Sequence, residues 1–75
     1  MEWRQYVSVN PAIMHGMACI AGTRIPVSVV LDNLAAGISV EELLREYPSL
    51  TRDAIAAALS YAAELARDQI VALPA

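Results

Sequence analysis

The sequence predicts a mainly α domain in which three helices follow a short N-terminal β-hairpin or β-arm, and three observations predict it. Apolar residues recur at helical spacing in three successive blocks after residue 25. Each block opens on a residue type that starts or caps a helix. The alternating, β-branched stretch Tyr6-Val7-Ser8-Val9 lies ahead of all three. Residues 1–25 are therefore read as the β-arm and 26–73 as the helical bundle, within one domain spanning residues 1–75.

Taken in order, Tyr6–Val9 reads as a strand that ends at Asn10-Pro11, where the proline cannot donate to a ladder. Gly16 and Gly22 punctuate the next segment. Cys19-Ile20 and Arg24-Ile25 are placed to pair across Ala21-Gly22-Thr23 as a small hairpin. Pro26 then presets a helical φ at a position where its missing N–H is no loss. Val27, Val30, Leu31, Leu34 and Ile38 follow at helical spacing, and Gly37 is the expected left-handed terminator.

The second helix has a well-marked start. Ser39 and Glu42 form a capping box, with Ile38 and Leu43 at the positions of a hydrophobic staple. Its apolar set is Val40, Leu43, Leu44 and Tyr47, and Pro48 stops it. After the four-residue turn Tyr47–Leu50, Thr51 caps a third helix, Asp53 suits its positive end, and the run continues without a breaker to Pro74. A short helix, a tight turn and a longer helix give the outline of a helix-turn-helix.

Composition sets the problem this fold must solve. A domain of 75 residues buries only about 60% of its unfolded surface, yet 57% of these residues are hydrophobic. Small domains close that gap with disulfides, a metal or self-association. One cysteine, Cys19, excludes an internal disulfide, and His15 with Cys19 falls short of the four ligands of a structural zinc site. Self-association remains, most simply as a two-fold homodimer. Ile55, Leu59, Ala62, Ala66 and Ile70 form one stripe of the third helix, widened by Ala54, Ala57, Ala58, Tyr61 and Leu65, and the excess over what two short helices can cover marks an interface. The start of the chain lacks a signal-peptide pattern and no apolar run reaches membrane-spanning length, so a cytoplasmic location is expected.

The stretch "MHGMACIAGTRIPVSVVLDNLAAGISVEELLREYPSLTRDAIAAALSYAA", and within it G-T-R-I-P-V followed by "AGISVEELLREYPSLT", resembles the DUF433 family of small bacterial and archaeal proteins, over Val7 to about Ala63. The resemblance implies a homeodomain-like three-helix fold with a helix-turn-helix, preceded by a β-hairpin. It also implies a role as the antitoxin half of a toxin–antitoxin pair, beside a PIN-like ribonuclease. Relatives commonly carry G-K-P and a basic residue before the second glycine, where this chain has Gly16-Met17-Ala18 and Ala21-Gly22. Arg24 is the cation left in that loop.

Several residues are candidates for function. Arg24 can fork onto a phosphate or carboxylate, or pair structurally with Asp32 or a helix end. In a helix-turn-helix the third helix reads DNA from its first residues, which makes Ser49, Thr51, Arg52 and Ser60, with Arg24, the nucleic-acid candidates. Charge argues against tight binding by this chain alone: strongly salt-dependent binders neutralise about 6–10 phosphates, whereas the net charge is −3 with five arginines. Glu41, Glu42 and Glu46 read as a solvated face in which Glu41 and Arg45 form an i,i+4 pair. His15 and Cys19 lack the third orienting group and oxyanion site that catalysis requires, so no enzymatic activity, cofactor, metal or small-molecule substrate is expected. The candidate partner or oligomer interface is Leu59, Ala62, Leu65, Ala66, Ile70, Val71 and Leu73 on the third helix and tail, in the helix-in-groove mode. The expected function is a non-enzymatic binding module, antitoxin-like. The alternative is a DNA-binding regulator that reads its own operator.

Overall fold

β1 (Val7–Val9) and β2 (Ala18–Ile20) pair antiparallel, with Val7 opposite Ile20, Ser8 opposite Cys19 and Val9 opposite Ala18. The computed structural model describes residues 1–12 and 16–68. A single 3-10 turn, Trp3–Gln5, precedes β1; α1 (Val27–Ala35), α2 (Val40–Glu46) and α3 (Arg52–Asp68) follow the hairpin. Asn10 ends β1 by folding its side-chain oxygen over the Ala12 N–H at 2.9 Å, an Asx turn.

The expected pairing across the Gly22 turn is met in part, with Cys19-Ile20 turning back on Ile25-Pro26, but the full ladder of β2 is with β1 on its other edge. The Ile20 carbonyl accepts from the Thr23 N–H at 3.0 Å and from the Thr23 hydroxyl at 2.8 Å, and that same hydroxyl accepts from the Ile25 N–H at 3.0 Å. These bonds make residues 20–25 a turn, which Gly22 closes at φ +77°. The Ile20 N–H donates to the Ile25 carbonyl at 2.9 Å and Cys19 forms one isolated bridge with Pro26. Proline has no N–H to carry that pairing further. The second edge of β2 is thereby tied to the start of α1.

Pro26 is the N-cap of α1, at φ −63° and ψ 142°. Asn33 tolerates mid-helix placement because its side chain donates to the Val29 carbonyl one turn back, at 2.8 Å. At the far end the Ile38 N–H donates to the Asn33 carbonyl and the Gly37 N–H to the Leu34 carbonyl, both at 3.0 Å, a Schellman motif with Gly37 at φ +90°. Ser39 follows at once, its hydroxyl accepting from the Glu42 N–H at 3.2 Å to begin α2. The Leu50 N–H donates to the Tyr47 carbonyl across the turn, and the Thr51 hydroxyl accepts from the Ala54 N–H at 3.1 Å to begin α3.

Every element contributes to one core: Val7 and Ile20 from the hairpin, Val27 and Val30 from α1, Leu43 from α2, Leu50 from the turn, and Ala54, Ile55 and Ala58 from α3. Leu43 and Val30 have no exposed surface. No polar side chain is buried among the described residues. The short side chains of α3 let it approach the hairpin and α1 closely, since small residues at a packing face bring backbones together.

Candidate interaction surface

The longest element decides what the surface can do. Seventeen residues of α3 extend about 26 Å at the usual helical rise. Its first part, through Ala58, lies on the core. Beyond Ala58, the core-side face is covered by the N-terminus instead: the Trp3 ring meets Tyr61 edge-on with centroids 4.8 Å apart, and the Trp3 Nε1–H donates to Glu64 Oε2 at 3.0 Å. The Arg4 guanidinium lies 4.6 Å over the Trp3 ring and 3.6 Å from Glu64 Oε2. Arg4 also bonds Glu2, whose pKa is lowered first by the Arg4 backbone N–H and then by its guanidinium.

This arrangement revises the reading of α3 as one broad stripe. Ala54, Ala57 and Ala58 belong to the domain's own buried interior, and Tyr61 packs against Trp3. Ile55 is buried too, whereas Leu59 faces outward, 50% exposed, with Ala63 and Ala66 also exposed. Ala62 is half-buried and Leu65 is 46% exposed. Leu59 and Leu65 stand about 120° apart around the helix, so they belong to different faces. Ile70, Val71 and Leu73 lie outside the described residues, as does His15.

The nucleic-acid candidates are scattered in role. Ser49 and Thr51 are exposed at the turn, but the Thr51 hydroxyl is the N-cap acceptor of α3. Arg52 is exposed and its Nη2 donates to Glu41 Oε1 at 2.9 Å, linking α3 to α2. That corrects the expected Glu41–Arg45 pair: the cation across the turn wins because it reaches the carboxylate directly, and its hydrogen bond is the first cause holding the Glu41 pKa below the ordinary carboxylate value. Ser60 is half-buried. Arg24 is exposed on the Gly22 turn and makes no ion pair among the described residues. Cys19 is buried, its thiol donating to the Met17 carbonyl at 3.5 Å. The described residues form no pocket and no cluster of three potential metal-binding side chains, and no helix among them is long and apolar enough to cross a membrane.

A two-stranded hairpin that feeds three helices, the last two in helix-turn-helix outline, defines a small homeodomain-like domain. The chain belongs to the DUF433 family, whose model, described as a protein of unknown function, matches residues 7–62. It is 42% identical over 59 residues to the uncharacterized protein y4eO of Sinorhizobium fredii, a match that covers 79% of this chain and 27% of that relative. The crystal structure of a DUF433 member protein from Anabaena variabilis shares the fold with a TM-score of 0.77 at 32% identity, covering 83% of this chain and 61% of the other. The Trp3–Glu64 contact joins residues on either side of the matched segment.

Proposed function

We propose that the chain is a non-enzymatic binding module, the antitoxin component of a toxin–antitoxin pair, which neutralises a PIN-like ribonuclease through the C-terminal part of α3. One observation carries this reading: the core-side face of α3 runs on past the described core, so that beyond the Trp3 contact Leu65 is 46% exposed next to half-buried Ala62. A protruding helix end with an apolar side chain is what a hydrophobic groove on a partner accepts. The resemblance to antitoxin-like relatives supplies the class of partner.

Co-expression with the product of the adjacent gene tests it. A tagged copy of this chain should retain a small ribonuclease on the resin and suppress its cleavage of RNA, and Leu65→Asp should release it. Retention unchanged by Leu65→Asp, with RNA cleavage still suppressed, would remove the helix end from the reading.

The alternative, a DNA-binding regulator, is supported by the outline of α2, turn and α3, which sets Ser49, Thr51 and Arg52 at the exposed start of the third helix. Against it, Thr51 is engaged as a cap and Arg52 by Glu41, so both must give up a bond to contact a base. A mobility-shift assay with the chain's own promoter at two salt concentrations, alone and with the partner, decides it; absence of a shift at low salt rules it out.

A further inference from the structure

We infer that a second copy of this chain packs antiparallel against the outward face of α3, about a two-fold axis beside Ser60, with Asp53 of each copy meeting Arg67 of the other. This goes beyond the proposed function and uses a different face of the helix from Leu65.

Four exposed apolar residues, Ala56, Leu59, Ala63 and Ala66, recur on α3 at intervals of three, four and three. That is the spacing at which two helices interlock along a seam. If the partner helix runs antiparallel, Leu59 lies opposite Ala63 and Ala56 opposite Ala66, so the large side chain of each copy fits over a small one of the other. Three alanines to one leucine allow the helices to approach closely, and Leu59, half exposed in the single chain, is the knob that gains most by being covered.

Charge selects both the occupant and its direction. Asp53, Ser60 and Arg67 line one flank of the seam at intervals of seven. Asp53 and Arg67 stand about 21 Å apart along the helix, close to four turns, on the same side of it. A two-fold axis that reverses the helix direction keeps that flank on one side of the pair and brings Asp53 opposite Arg67 twice, with Ser60 opposite itself. A parallel pair instead sets this flank against the other one, which holds Ile55 and Ala62 and offers no charge to either. Neither Asp53 nor Arg67 is in an ion pair among the described residues. Arg52, at the end of the seam, has its charge answered within its own chain by Glu41 at 2.9 Å. The surface is thus complementary to itself under one rotation, as a two-fold homodimer requires. The same rotation covers Ser60 and Ala56, so pairing of this kind excludes α3 from a DNA groove.

Sedimentation equilibrium on the full chain tests the inference. At about 100 µM the wild type should have twice the mass of the 8.1 kDa chain. Asp53→Arg and Arg67→Asp should each raise the dissociation constant about tenfold, and the two together should recover most of that loss. Leu59→Glu, at an exposed position, should give a monomer with unchanged far-ultraviolet circular dichroism. A wild type that stays monomeric at this concentration overturns the inference, as does a Leu59→Glu protein that still dimerises or a double reversal no better than the single ones. Leu65→Asp should leave the dimer mass unchanged, so that loss of ribonuclease capture by that variant bears on the proposed function alone.

Discussion

The indole of Trp3 stands at 68° to the ring of Tyr61 while its N–H reaches Glu64 one turn further along α3. Two residues near opposite ends of the described chain are thereby locked together, and the upper part of α3 is held to the N-terminal 3-10 turn by something other than the main core.

Removing this contact should cost measurable stability. Edge-to-face aromatic pairs contribute about 0.5–1.5 kcal/mol beyond the area they bury. Trp3→Ala loses that contact and the bond to Glu64, and should lower the melting temperature by about 4–8 °C for each kcal/mol lost in a domain of this size. Trp3→Phe retains the ring and loses the donor, so it should lie between. A Trp3→Ala, Glu64→Ala double variant should be less destabilised than the sum of the single ones, as read by thermal unfolding.

Leu43 is the side chain whose truncation should harm the fold most. It has no exposed surface and is the buried residue of α2. Leu43→Ala should cost about 2–5 kcal/mol, enough to unfold much of a small domain at 37 °C, while Leu43→Met should cost less than about 1.5 kcal/mol. Urea titration followed by circular dichroism ranks the two.

Gly37 occupies the left-handed region at φ +90° with nothing within 4 Å of where a Cβ would stand. Substitution there is a matter of backbone strain, not of space. Gly37→Ala should cost about 1–2 kcal/mol and Gly37→Asn less, because asparagine visits this conformation more readily. The midpoint of chemical unfolding measures both.

Glu41 gives the pH dependence. Its folded pKa is depressed by the Arg52 guanidinium, so the ion pair stabilises the fold above the ordinary carboxylate value, about 4.3 in an unfolded chain, and its contribution disappears as pH falls through the folded value. Glu41→Gln should melt slightly below the wild type at pH 7, and the difference should close as pH falls from about 5 to about 3. Added salt should narrow it too, since both partners are exposed.

The features that could be read in the sequence are those decided within a few residues. Ser39 and Thr51 accept the N–H bonds that their place before an apolar block implies, Gly37 has the positive φ, and Pro26 opens α1. The rest depended on distance. The ladder partner of β2 lies nine residues upstream of it, and the nearer pairing across Gly22 stops at the Ile20–Ile25 bond and the Cys19–Pro26 bridge because Pro26 has no N–H to extend it. Glu41 found its cation on the next helix and not one turn along its own. The Trp3 contact, across 61 residues, left only a faint trace: Tyr61 and Glu64 are three apart, hence on one side of α3, and an indole was present elsewhere to meet them. The candidate surface was half legible. Leu59 and Leu65 were both recognisable as surplus, but a helix so rich in alanine does not reveal which apolar side chain points inward until its neighbours are in place.

The junction of α1 and α2 has a consequence for how relatives can diverge. A single residue, Ile38, separates a glycine terminator whose bonds all run backbone to backbone from a serine cap made by one hydroxyl. The angle of that elbow is written into the main chain and three small determinants. Outer positions of both helices that make no bond to α3, unlike Glu41, can thus change in charge and size without tilting the platform on which α3 sits. Surfaces can be re-tailored to new acquaintances while the scaffold that displays them stays fixed.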